Sequence, residues 1–116
     1  MIKTLNPETS NVVSENNKTE FTLFDADLTK KAAAIMRAMN HKLRHTILTF
    51  IDNAGSTNVT AIYKALNIEQ SVASQHLAIM RRAKIVIATR TGKQILYSVN
   101  HDRINLYMNK VKEILA

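Results

Sequence analysis

Cysteine and tryptophan are absent from this sequence of 116 residues, and only two residues are glycine. Without cysteine the chain cannot form disulfides, thiolate zinc sites, iron–sulfur clusters or thiol redox switches. With two glycines there is no glycine-rich phosphate loop, and no pairing of a nucleophile with a base stands out. We therefore expect neither an enzyme nor a bound cofactor.

Aromatic residues and long apolar runs are also scarce. Three Phe and three Tyr, none of them in a basic pattern, argue against a stacking platform for single-stranded nucleic acid. No apolar run approaches the roughly 20 residues that span a bilayer. The N-terminus lacks the apolar segment of a secretory signal. The expected location is the cytoplasm, with no membrane contact.

Acidic residues are few over most of the chain. Lys and Arg number 16 against nine Asp and Glu, for a net charge of +7. Residues 1–27 carry two basic and five acidic side chains (net −3), whereas residues 28–116 carry 14 basic and four acidic ones (net +10). Such a basic segment indicates a polyanionic partner, with DNA or RNA ahead of an acidic protein. The alternative is a charge that serves solubility alone.

Hydrophobic periodicity predicts the order helix, helix, helix-turn-helix, β-hairpin, helix. Asn40 reads as the break after the first helix and the N-cap of the second, and Asn100 as the N-cap of the last. The fold class is therefore mainly α with a two-stranded hairpin, a winged helix-turn-helix of about five helices. We expect residues 1–24 to form a flexible tail and residues 25–116 to form the DNA-binding and dimerisation domain.

The predicted helix over residues 70–83 has two contrasting faces. Ala73, Leu77 and Met80 share an apolar face, and the opposite face is small and polar with one arginine. Small residues allow close approach to a major groove, where Gln and Ser bind base edges and Arg binds guanine or phosphate. An ordinary solvated face is the alternative. The candidate DNA contacts on this helix are Gln70, Ser71, Ser74, Gln75, His76, Arg81 and Arg82, of which His76 fits packing or a phosphate better than a base.

The predicted hairpin has a basic tip over residues 90–94. Arg90 and Lys93 flank Gly92, and Gln94 follows. A basic wing of this kind suits phosphate or minor-groove contact, and a solvated turn with incidental charge is the alternative.

The first and last helices carry more apolar side chains than a small core needs. We expect them to form an antiparallel dimer seam, so that two reading helices meet a palindrome one DNA turn apart. Packing within one chain is the alternative. The candidate dimer residues are Leu28, Ile35, Met39, Ile104, Tyr107, Met108, Val111 and Leu115.

Four short motifs carry a family resemblance. They read H-K-L-R-H-T-I-L (41–48), L-N-I-E-Q-S-V-A-S-Q-H-L (66–77), A-K-I-V (83–86) and R-T-G-K (90–93). On these motifs the chain from residue 28 to residue 115 resembles the ArsR/SmtB-type winged-helix repressors. The resemblance implies a homodimeric repressor that pairs through its first and last helices and leaves its operator when an inducer binds.

The sequence departs from that family's pattern in several positions. Lys42 replaces the usual proline, Asn67 and Lys84 replace glycines, and Glu69 replaces a capping serine. The family's Cys-x-Cys motif and its zinc motif on the last helix are both missing. His41 and His45 are four residues apart, but capping and surface roles suit them better than a metal site. The effector is then an unidentified small molecule or protein, or there is none.

The sequence thus predicts a homodimeric, sequence-specific regulator of transcription, most simply a repressor, bound to palindromic double-stranded DNA. The alternative is a winged-helix module that binds protein or RNA without operator specificity.

Overall fold

The computed structural model describes residues 23–116, which contain five helices and one antiparallel hairpin. This order confirms the predicted winged helix-turn-helix. Within the described range, no helix is long and apolar enough to cross a membrane. The elements are α1 (Ala26–Met39), α2 (Lys42–Ala54), α3 (Val59–Leu66), α4 (Gln70–Arg82), β1 (Val86–Thr91), β2 (Gln94–Val99) and α5 (His101–Leu115).

The chain divides into two units, one ending at Ala33 and the other running from Ala34 to Ala116. In the first unit, the Oδ1 of Asp25 accepts hydrogen bonds from the backbone N–H groups of Asp27 and Leu28, at 3.0 and 3.1 Å. This carboxylate satisfies donors that the start of α1 leaves free. The predicted tail lies outside the described residues as far as residue 22.

The core of the second unit is formed by α2, α3, α4 and the start of the hairpin, with Ala38 from the end of α1. Its buried apolar side chains are aliphatic apart from one methionine, and the sheet beside them has two strands. Its fully buried large side chains are Ile47, Ile51, Ile62, Leu77, Met80 and Ile85.

The hairpin is anchored at its base by backbone hydrogen bonds. β1 pairs with β2 from Val86↔Val99 to Thr91↔Gln94. Thr57, just before α3, adds a bridge to Tyr97: Thr57 N donates to Tyr97 O at 3.0 Å, and Tyr97 N donates to Thr57 O at 2.7 Å. These two bonds fix the base of the hairpin beside the helix-turn-helix.

The boundary between α1 and α2 differs from the prediction by one residue. The N-cap of α2 is His41, in an extended conformation, and its Nδ1 accepts a hydrogen bond from Leu43 N at 3.2 Å. Asn40 still bonds backward, from its N–H to Met36 O at 3.0 Å. Asn40 therefore closes α1 and does not cap α2, whereas Asn100 caps α5 as expected, accepting from Arg103 N at 3.2 Å.

Candidate nucleic-acid interface

Helix α4 presents the two faces that the sequence predicts. Ala73, Leu77 and Met80 are completely or almost completely buried. The opposite face is exposed, and it offers hydroxyl and amide groups with no carboxylate. Its members are Ser71, Ser74, Gln75, Ala78 and Arg82.

The turn between α3 and α4 sets the angle between these two helices. Asn67 adopts the left-handed conformation (φ 54°, ψ 50°), and its N–H bonds back to the end of α3. Asparagine tolerates this conformation better than most side chains, which explains how it stands where the family has glycine. Glu69 occupies the N-cap position of α4 without a capping hydrogen bond from its side chain. The exposed Gln70 begins the helix.

Three cations surround a shallow groove at the other end of α4. Ala78, Arg81, Arg82 and Lys84 line about 400 Å³ of space there. No acidic residue occurs between Glu69 and Asp102, so α4 and the hairpin form one acid-free stretch with five Lys or Arg residues. This surface therefore has the charge and the small side chains that a DNA duplex requires.

The tip of the hairpin adds a second basic surface. Arg90, Lys93 and Gln94 are all exposed, and Gly92 (φ 64°) makes the turn between them. The amide of Gln94 is held at one end, because its Oε1 accepts a hydrogen bond from Asn58 Nδ2 at 2.9 Å. Asn58 also caps α3, its Oδ1 accepting from Ala61 N at 2.9 Å. Asn58 thus connects the hairpin to the helix-turn-helix.

His76 lies behind the exposed face of α4. It is half-buried, and its Nδ1 is 3.1 Å from a terminal nitrogen of the Arg44 guanidinium. Its ring centre is 4.8 Å from that of His41. Burial lowers the pKa of His76, and the positive charges of His41 and Arg44 lower it further. The environment of His76 therefore favours the neutral imidazole.

The candidate dimer residues divide into three groups. Met39, Ile104 and Tyr107 pack against the core of their own chain, and the Tyr107 hydroxyl donates to Ala83 O at 2.6 Å. Ile35 and Val111 are half-buried. Leu28, Met108 and Leu115 are exposed, with 64%, 39% and 79% of their surface accessible. The exposed group is the one that a partner chain could cover.

His41 and His45 have backbone partners. His41 caps α2, and the Nε2 of His45 meets the carbonyl oxygen of Met39 at the end of α1. Among residues 23–116 no group of three or more His, Asp or Glu side chains is placed to hold a metal ion.

Sequence reasoning did not identify Arg44 and Asn58 as functional residues. Arg44 lies in the motif of residues 41–48, but the sequence does not indicate that its side chain is buried among polar groups. Asn58 follows the polar run of residues 56–57 and precedes a helix, which is an N-cap signal. Its bond to Gln94, 36 residues further on, has no signal in the sequence.

Comparison with known proteins places this geometry in a family. The family model described as "Bacterial regulatory protein, arsR family" matches residues 41–88, from the start of α2 into the hairpin. The transcriptional repressor PagR of Bacillus anthracis is 35% identical over 72 residues, which are 62% of this chain and 72% of PagR. The chain belongs to the ArsR family of bacterial regulatory proteins.

The solved structure of PagR and a second relative agree with this assignment. The crystal structure of PagR has a TM-score of 0.54 at 33% identity, covering 66% of this chain and 86% of that chain. The HTH-type transcriptional regulator YgaV of Escherichia coli is 29% identical over 85 residues, 73% of this chain and 86% of YgaV.

The fold has a further match in the solution structure of Mb0332 from Mycobacterium bovis. That protein is described as a homodimeric winged helix-turn-helix DNA-binding domain. Its TM-score is 0.64 at 23% identity, over 84% of this chain and 90% of that chain. This ArsR-family chain is a transcriptional regulator with a winged-helix DNA-binding domain, and not an enzyme.

Proposed function

We propose that this ArsR-family regulator is a homodimeric repressor that reads a palindromic operator with α4 and holds the flanking backbone with its hairpin. The observation that carries the proposal is the exposed face of α4, which is free of acids, rich in hydroxyl and amide groups, and continuous with the basic groove at its end. An ordinary solvated helix face would carry Glu–Lys pairs.

The polar side chains of α4 are assigned to the bases. Ser71, Ser74 and Gln75 are short or carry an amide, and Ala78 leaves room for the groove edge. A well-formed base contact contributes about 1–3 kcal/mol of discrimination.

The basic side chains are assigned to the phosphates. Arg81 and Arg82 line the groove at the end of α4, and Arg90 and Lys93 extend the contact from the wing. Phosphate contacts supply affinity that is independent of sequence and sensitive to salt.

Gln70 and Gln94 lie at the edges of the proposed contact. Gln70 stands at the start of α4, where the helix dipole and free N–H groups favour a phosphate. The Oε1 of Gln94 is already bonded to Asn58, which leaves its Nε2 as the group that donates to the DNA backbone. His76 is bonded to Arg44 and acts from behind the helix.

A second copy of the chain is the proposed partner of α1 and α5. Helix α5 buries none of its side chains fully in its own chain, and Met108 and Leu115 are exposed on it. The predicted seam also includes Leu28 and Ile35 of α1. Two symmetric copies present two reading helices, which is the arrangement that a palindrome requires.

Repression follows from occupancy of an operator, and the relative PagR is named a transcriptional repressor. A regulator of this kind acts where the chromosome is, in the cytoplasm.

Selection from a random pool of DNA duplexes tests the proposal. Purified full-length protein should enrich an inverted repeat with half-sites about one helical turn apart. A reporter promoter that carries the enriched repeat should be less active when the protein is expressed. Binding without enrichment that fades as salt rises would contradict the proposal. A competing RNA duplex would then test the RNA-binding alternative.

Two double variants separate the proposed base contacts from the proposed phosphate contacts. With Ser74→Ala and Gln75→Ala together, preference for the selected repeat should be lost while binding to unrelated duplexes is retained. With Arg90→Ala and Lys93→Ala, both kinds of binding should weaken, and the salt slope of the dimer should fall by about four, two for each protomer. The same response from both pairs would show that these roles are wrongly assigned.

A further inference from the structure

Arg44 is a buried cation held by neutral partners. Only 7% of its surface is accessible. Its Nε donates to Ala38 O at 2.8 Å and one terminal nitrogen donates to Arg37 O at 2.8 Å, both at the C-terminal end of α1. Its other terminal nitrogen is 3.1 Å from His76 Nδ1 on α4. Within residues 23–116, no carboxylate forms an ion pair with it.

The chemistry of this contact fixes the protonation state of His76. A guanidinium has only donors, so the Nδ1 of His76 must accept the hydrogen bond with its lone pair. The imidazole is then neutral, with its proton on Nε2. In the described part of the chain, the ionisable groups that face His76 are Arg44 on α2 and His41 at the start of α2, and neither can carry a negative charge.

We infer that Arg44 and His76 are a positioning pair that holds α4 in its reading orientation against the end of α1, and that the pair exists only while His76 is neutral. The DNA-binding part of this inference rests on the proposed function. A proton on Nδ1 would face a donor that it cannot bond and would add a second positive charge beside that of Arg44. The link between α4 and α1 then opens.

Acid consequently acts differently on specific and on non-specific DNA binding. Release of α4 weakens contact with the selected repeat, because base contacts depend on the orientation of the helix. The added charge on His76 attracts phosphates in any sequence. This added attraction raises both affinities alike, so the ratio of specific to non-specific affinity falls at low pH because α4 loses its orientation. A helix that only lost stability would lose both affinities together.

Affinities for the selected repeat and for a scrambled duplex, measured from pH 8 to pH 5.5, test the DNA-binding part. For the wild-type chain the ratio should fall by at least about tenfold, as expected when one charge-assisted hydrogen bond is lost. His76→Asn keeps an acceptor near the position of Nδ1 and cannot be protonated, so its ratio should stay high and flat. His76→Ala should give a low ratio at every pH.

His101→Asn is the matched control, since His101 lies exposed at the start of α5 with Asp52 as its partner at 2.7 Å. It should show the wild-type pH profile. Two results would overturn the inference: a ratio that falls with acid in His76→Asn as it does in the wild type, or a ratio in His76→Ala as high as that of the wild type at pH 8.

Nitrogen NMR of the histidine rings tests the pair without DNA. At neutral pH the Nδ1 of His76 should be unprotonated and its Nε2 protonated, and the Nδ1 signal should change in Arg44→Met. An Nδ1–H tautomer, or an Nδ1 signal that ignores the Arg44 substitution, would refute the pair itself. If selection enriches no operator but this signature is present, the proposed function fails and the pair remains.

Discussion

At the scale of single residues, Asn67 and Lys84 are the two described non-glycine residues with a positive φ, at 54° and 66°. Both stand where the resemblance to the family places glycine. Asparagine is suited to the left-handed region by its short polar side chain, whereas lysine has no such compensation. Lys84 therefore retains backbone strain, in exchange for a cation beside the groove at the end of α4.

Replacing Lys84 by glycine should stabilise the protein. The left-handed conformation costs a side chain about 1–2 kcal/mol, and part of that gain is offset by the greater freedom of glycine when unfolded. We expect a net increase of about 0.5–1 kcal/mol in the free energy of unfolding, measured with urea. Lys84→Ala removes the charge but keeps the strain, so it should show no such gain. Equal stabilisation by both variants would attribute the effect to charge.

The pKa of His76 also makes folding stability depend on pH. Burial is the first cause of its lowered pKa, followed by His41 and Arg44. Between the folded and unfolded pKa values the unfolded chain binds more protons, so stability rises with pH. The contribution is fully present above the unfolded value of about 6.5 and is lost as pH falls through the folded value.

Urea unfolding between pH 7.5 and pH 5 checks this sign. The wild-type chain should lose stability toward acid, and His76→Asn should lose less. His101→Asn should keep the wild-type slope. A wild-type slope in His76→Asn would show that another group is responsible.

At the scale of elements, periodicity alone located every helix and both strands of the described chain, because the buried face of each element repeats at its own period. The boundary at Asn100 followed from local capping chemistry, and His41 took the cap expected of Asn40 for an equally local reason. What could not be predicted are the contacts between elements. The bond from Arg44 to His76 spans 32 residues, and the one from Asn58 to Gln94 spans 36. The exposed face of α4 could be predicted, whereas the groups that orient α4 and the wing could not.

Asn58 offers a test of how the wing is held. Asn58→Ser should keep the cap of α3, since serine is a good N-cap, but it lacks the donor that reaches Gln94. We expect a stable fold with faster amide exchange in β1 and β2 and a DNA affinity reduced about two- to fivefold, the loss of one hydrogen bond. Asn58→Ala removes the cap as well and should cost about 1 kcal/mol of stability.

A double-mutant cycle with Gln94→Ala isolates the bond between the two side chains. If Asn58 acts through Gln94, the combined variant should bind DNA no more weakly than the weaker single variant. Fully additive losses would mean that the two residues act independently.

At the scale of the whole molecule, α5 is the element that a single chain leaves incomplete. Ile104 and Tyr107 pack against the core. The Tyr107 hydroxyl also donates a hydrogen bond to Ala83 O at the end of α4, so α5 is attached directly to α4. Four other large apolar residues of α5 are exposed, and none of its residues is fully buried: the exposed ones are Leu106, Met108, Ile114 and Leu115. A small chain with such an uncovered helix gains most by burying it against a second copy.

Met108→Glu should therefore separate the proposed dimer. An unpaired carboxylate at the centre of an apolar seam costs several kcal/mol, so the dissociation constant should rise by at least about 100-fold. Light scattering should give twice 13.1 kDa for the wild-type chain and a single 13.1 kDa chain for the variant. Affinity for the selected inverted repeat should fall toward that of one half-site, since the two reading helices no longer bind together.

Two further variants separate the interface from the fold. Asn109→Glu adds the same charge at the adjacent exposed position of α5 and should remain dimeric. Leu115 lies at the end of α5, and 79% of its surface is accessible. Leu115→Glu should therefore leave the fold intact and still weaken the dimer. Dimers of full mass in both Met108→Glu and Leu115→Glu would exclude α5 from the seam. The operator would then have to be read by copies joined through another surface, and the spacing of the enriched half-sites would show which distance that surface sets.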